Sequence, residues 1–161
     1  MSKSVKATRP INKSTHMKYA IKKLFHIDAP MSKVFENLTT IEGLSQWWTV
    51  QTSGSTEPGG SIKFDFGTFE GPTMEVIEVR PNERVAWRCI DSSHGWIGNT
   101  FVFSLDENEG KTRVRFSHDG WEEQDDFYAI CSFSWGRYLE SLRQLCQTGT
   151  GEAYGSPGYR I

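Results

Sequence analysis

The run "RVRFSHDGW" ends a strand-like segment with His118 in phase with Val114 and Phe116, which directs the imidazole to the apolar side of that strand. An imidazole placed there can hold a polar ligand head or serve as a general acid or base. The simpler alternative is a hydrogen-bonded histidine that tethers the "HDGW" turn. Asp119, Glu122, Glu123, Asp125 and Asp126 cluster beside it, and acids at a helix amino end favour the macrodipole without any chemistry. Cys131 would be a nucleophile only if His118 approached it, and no third orienting group is visible. Tyr128 and Tyr138 are the hydroxyls that an enzyme built on His118 would use to polarise a substrate. His26, His94 and His118 fit no metal-ligand spacing, and neither HExxH nor paired cysteines accompany them. "GTFEG" and "TGTGE" lack the strand-to-helix context and the lysine of a phosphate loop. No metal and no cofactor are expected.

The elements that must position these residues follow from periodicity. "MKYAIKKLFHIDAP" predicts a first strand ending at Pro30. Val34, Phe35 and Leu38 then fall at helical spacing, with Pro30 suited to an early helical position and Asp28 to a cap. Ile41 and Leu44 predict a second short helix that leads to the adjacent Trp47 and Trp48. Beyond them "SIKFDFG", "TMEVIEVRP", "RVAWRCI" and the two halves of "TFVFSLDENEGKTRVRFSHDG" alternate with period two around turn residues, which implies an antiparallel sheet. From about Gln124, Phe127, Cys131, Ser134, Tyr138, Leu142 and Leu145 recur in steps of four and three. Ile130, Trp135 and Leu139 widen that stripe, so a helix of about six turns should lie on the sheet. Gly149 and Gly151 are stop signals.

Composition narrows the function classes. The 161-residue chain carries a formal charge of −2, with six Trp and ten Phe. This suits one aromatic-rich domain and lacks the basic footprint of a nucleic-acid binder. No segment approaches the roughly 20 apolar residues of a membrane helix, so no membrane insertion is expected and a cytoplasmic location is the default. Cys89, Cys131 and Cys146 are widely spaced and odd in number, which indicates neither a disulfide framework nor a zinc cluster. Residues 1–16 read as a flexible basic leader, 17–148 as the folded domain and 149–161 as a Gly-rich tail whose Tyr154, Tyr159 and Ile161 are able to pack as a strap.

The order strand, two short helices, strands, long helix resembles the helix-grip fold of the START-like superfamily. "IDAPMSKVFENLT", "GLSQWWT", "VIEVRPNERVAW", "TFVFSLDENEGKTRVRFSHDGW" and "WGRYLESLRQL" are similar to segments of its activator-of-Hsp90-ATPase-like branch, the SRPBCC (AHSA-type) domains. The resemblance implies an α+β fold in which a curved antiparallel sheet of six or seven strands wraps the carboxy-terminal helix. It also implies a cavity between sheet and helix for a small hydrophobic or amphipathic ligand (lipid, polyketide or aromatic). Trp47, Trp48, Phe64, Phe66, Trp87, Phe101, Phe116, His118, Trp121, Phe127, Cys131 and Trp135 are the residues placed to line it. Trp96 shares phase with Thr100, Val102 and Ser104 and is the doubtful ring. Two alternatives accompany ligand binding: a cyclase or hydrolase using the same cavity, and a module that stimulates a chaperone ATPase, with a chaperone as partner. The oligomeric state stays open between monomer and homodimer.

Overall fold

A computed structural model describes residues 18–67 and 70–160. Its elements are β1 (Tyr19–Ile27), α1 (Met31–Leu38), α2 (Ile41–Trp47), β2 (Gln51–Gly54), β3 (Ser61–Asp65), β4 (Thr73–Arg80), β5 (Arg84–Asp91), β6 (Thr100–Asn108), β7 (Lys111–Trp121) and α3 (Asp126–Thr148). The strands form one seven-stranded antiparallel sheet in the order β1-β7-β6-β5-β4-β3-β2. This is the helix-grip arrangement, with α3 held against the concave face.

Alternation along each strand decides what that face buries. Ile62 and Phe64 of β3, Val85, Trp87 and Cys89 of β5, Phe101 and Phe103 of β6, and Val114, Phe116 and His118 of β7 all lie inside. The β6–β7 hairpin turns on Glu109 and Gly110, at φ 55° and 80°. Positive φ at both central residues matches the right-handed twist of the flanking strands.

The helix ends are set by local chemistry. Asp125 caps α3, its carboxylate accepting the backbone N–H of Tyr128 at 3.0 Å, and Gly149 closes it in the left-handed region at φ 89°. At α1 the expected cap is displaced: Pro30 occupies the N-cap position, with no side-chain cap bond, and the backbone N–H of Asp28 donates to Gln147 at 2.7 Å. β1 ends at Ile27, short of Pro30. β2 has no counterpart in the sequence reading, because "QTSG" carries neither alternation nor apolar side chains and forms only as an edge.

Ile130 is also not where its spacing placed it. It is 62% exposed, on the outer side of α3, while Cys131, Trp135, Leu139 and Leu142 form the buried stripe.

The segment after α3 returns along α2. The Val50 N–H donates to Tyr154 O at 3.0 Å, the Tyr154 N–H donates to Trp48 O at 2.9 Å, and Thr49 pairs with Tyr154 in a parallel bridge. Ala153 is fully buried and Tyr154 packs on the core, so this strap belongs to the folded body. Residues 1–17, Thr68, Phe69 and Ile161 lie outside the described residues, and with them the leader and the last residue of the expected strap.

Candidate functional site

Most of the concave face is solid with rings. Trp87 meets Phe103 at 5.2 Å between centroids, Phe103 meets Phe116 at 5.0 Å, and Phe116 meets Trp135 at 4.5 Å. These spacings are those of well-packed aromatic pairs. At one end the packing stops short and leaves a cavity of about 200 Å³. α3 lines one side with Phe127, Cys131, Ser134, Trp135 and Tyr138. Trp48, Phe66, Gly71 and Pro72 line another, and the β5–β6 connection closes it with Ser92, His94 and Trp96.

The adjacent tryptophans divide their roles here. Trp47 ends α2, is fully buried and donates its Nε1–H to Asn37 O at 2.9 Å, away from the cavity. Trp48, at the helix C-cap, turns its ring to the cavity and stands at the centre of the cluster, 4.2 Å from Phe64, 5.0 Å from Trp135 and 5.9 Å from Phe66. Phe64, Trp87, Phe101 and Phe116 lie behind these rings as packed core, and none of them borders the cavity. Trp121 packs on Phe127 at 5.4 Å and on Tyr128 at 5.2 Å, outside the cavity. Of the sequence-predicted set, Trp48, Phe66, Phe127, Cys131 and Trp135 come together on the cavity wall. Trp96 joins them, because it sits in a loop before β6 begins, where strand phase has no force; it stacks 6.1 Å from Trp135.

His118 is wholly buried between Phe101 at 4.1 Å, Trp96 at 4.8 Å and Trp121 at 4.9 Å. Trp135 Nε1–H, which can only donate, reaches its Nδ1 at 3.1 Å, and the Asn99 side-chain amide meets its Nε2 at 2.9 Å. Nδ1 must therefore keep its lone pair, the neutral ring carries its proton on Nε2, and the amide has to offer its carbonyl oxygen there. Burial pushes the pKa of His118 down to about 3. With both nitrogens engaged and no edge on the cavity, the imidazole has neither a proton nor a lone pair for a substrate. It works as a tie between β7, the loop before β6 and α3. Asn99, the partner that completes this tie, carries no signal in the sequence, since a single loop Asn has no periodicity to betray it.

The other reactive groups are equally settled. Burial pushes the Cys131 thiol up to about 11, against a smaller opposing pull from the Trp96 indole N–H, so it stays protonated at neutral pH. That indole N–H is buried and reaches no acceptor in full hydrogen-bonding geometry, the Cys131 sulfur being only a weak partner. The phenol of Tyr138 borders the cavity and is raised well above the usual range by burial and by Tyr159 beside it. Tyr128 is committed elsewhere, its hydroxyl donating to Ala20 O at 2.8 Å. The cavity wall thus holds rings, two serine hydroxyls, the Tyr138 phenol, a neutral thiol and one weakly engaged indole N–H, with His94 as its remaining titratable side chain. Among the described residues, no helix is long and apolar enough to cross a membrane.

A helix-grip sheet with its cavity at the end of a long helix defines a class of protein, and comparison places the chain within it. The family model for activator of Hsp90 ATPase homolog 1-like proteins matches residues 28–147, and the chain belongs to that family. Among solved structures, the Aha1 dimer of Colwellia psychrerythraea is 35% identical, with a TM-score of 0.76 over 83% of this chain and 99% of that one. Protein SSP2350 of Staphylococcus saprophyticus is 20% identical at a TM-score of 0.69, covering 84% and 97% of the two chains. CalU16 of Micromonospora echinospora is 16% identical at 0.67, covering 80% and 74%. The last two share the fold. No curated protein matches.

Proposed function

We propose that the protein binds a compact, uncharged aromatic molecule in the cavity beside α3. The supporting observation is the make-up of the wall, in which Trp48, Phe66, Trp96 and Trp135 surround about 200 Å³ with no carboxylate, lysine or arginine among the lining residues. With none of these permanently charged groups on the wall, an ionised ligand head would be desolvated at a cost that apolar contacts do not offset. The volume falls below the range of drug-sized sites, about 300–1,000 Å³, and just above the roughly 150 Å³ that holds a single benzene ring. One or two fused rings suit it better than a long acyl chain. The Trp96 N–H, with only the weak Cys131 sulfur beside it, supplies one polar handle, which a ligand carbonyl or ether oxygen would satisfy.

The test is a titration, followed by tryptophan fluorescence, with neutral bicyclic ketones and, in parallel, with fatty acids. A neutral bicyclic ligand should bind with a Kd below about 1 mM, roughly 4 kcal/mol, and Ser134→Phe, which fills the cavity, should abolish binding. Equal binding of the fatty acids, or binding unchanged by Ser134→Phe, would sink the proposal.

The dimeric state of the Colwellia relative favours a homodimer over a monomer for this chain as well. The family description keeps stimulation of a chaperone ATPase as the alternative function. An unchanged chaperone ATPase rate on addition of the protein would remove it.

A further inference from the structure

We infer that a second copy of the chain docks along the outer face of α3, antiparallel to the first, about a two-fold axis midway between Ile130 and Phe133. This deepens the homodimer proposed above by assigning its surface.

Ile130 and Phe133, at 62% and 67% exposure, are the most exposed large apolar side chains among the described residues. With Asp126 and Arg137 they form a stripe in steps of four, three and four along one side of the helix. That is the seam spacing by which two helices pack at a shallow angle. In the antiparallel pairing Ile130 meets Phe133 of the second copy, and Asp126 meets Arg137 of the second copy. Neither charge has an ion-pair partner within the chain among the described residues; Arg137 donates only to the backbone carbonyl of Arg160. Each contact draws both of its halves from the same helix, so the face is complementary to itself, as an isologous interface requires.

Gly136 is a second, independent sign. Glycine is unfavourable inside a helix, yet a Cβ at this position would meet nothing within 4 Å, so the chain's own packing does not require it. On the flank of the seam Gly136 faces Ala129 of the second copy, and two small residues let the backbones approach. The opposite flank brings Phe127 of one copy beside Ser134 of the other. Both residues line the cavity, so the two cavity mouths would open side by side against the seam. A single helix pair is a small interface, and the dimer it makes should dissociate on dilution.

Sedimentation equilibrium of the full chain over a wide concentration range tests this. The mass should rise from 18.3 kDa toward twice that value. Phe133→Asp should hold it at the single-chain mass, whereas Leu24→Asp, at a site 56% exposed on the outer sheet face, should behave as the parent. Asp126→Arg and Arg137→Asp should each weaken association about tenfold, and the two together should restore it. A parent protein that stays monomeric throughout would overturn both the dimer and its surface. A Phe133→Asp variant that dimerises like the parent would overturn the surface alone.

Discussion

His118 joins the fold to the pH scale. Its pKa is about 3 in the folded protein and near 6.5 in an unfolded chain, so between those values the unfolded state binds the extra proton. Stability from this group is complete above about pH 6.5 and declines as the pH falls toward 3, by up to about 1.4 kcal/mol per pH unit. Urea midpoints at pH 7.0 and 4.5 should therefore differ more for the parent than for His118→Gln, and equal differences would refute the assignment. In NMR the folded imidazole should stay neutral across pH 5–8, with its proton on Nε2. The inward direction of His118 was legible in the sequence, because Val114 and Phe116 fix the phase of β7. Its role was not, because Trp135 and Asn99 come from elements whose meeting depends on how α3 lies across the sheet. The same limit applies to the ring-rich wall. Phase says that Phe64, Trp87 and Phe101 point inward, but only packing decides that they fill the core and leave the cavity to Trp48 and Trp96.

Elements were legible in proportion to their pattern. α3 is bounded by residues whose chemistry marks an end, Asp125 and Gly149, and both ends can be tested. Asp125→Ala removes the acceptor for Tyr128 N–H and should cost about 1 kcal/mol. Gly149→Ala places a Cβ in open space but keeps φ near 89°, so its expected loss, again about 1 kcal/mol, is purely conformational. Thermal melts of the two variants check these values, and a neutral Gly149→Ala would mean that the helix end relaxes to another cap. Ile130 misled because a helix stripe read at steps of three and four admits neighbours on either flank, and only the sheet's position says which flank is covered. Trp96 misled for the converse reason, since a phase was extended into a loop.

At the scale of the molecule, the strap after α3 is what holds Trp48 in place from outside. Gly151 lies so close to α2 that an added Cβ would stand 2.3 Å from Gln46 O. Gly151→Val should push the strap away, lower stability by about 1–3 kcal/mol and shift the fluorescence of Trp48 toward that of a wetter ring, while far-UV circular dichroism stays that of the parent. A variant as stable as the parent would show that the strap contributes no more than cover. The pairing of β1 with β7, which joins the first strand of the sheet to the last, has a consequence in time. During synthesis β1 emerges without a neighbour, and Ile21 and Ile27 stay bare until Lys111–Trp121 has been made. The closing pieces, α3 and then the strap, come later still. Until those pieces are made, the nascent domain carries first an unpaired strand and then an uncovered aromatic face, so its closing contacts are also its latest.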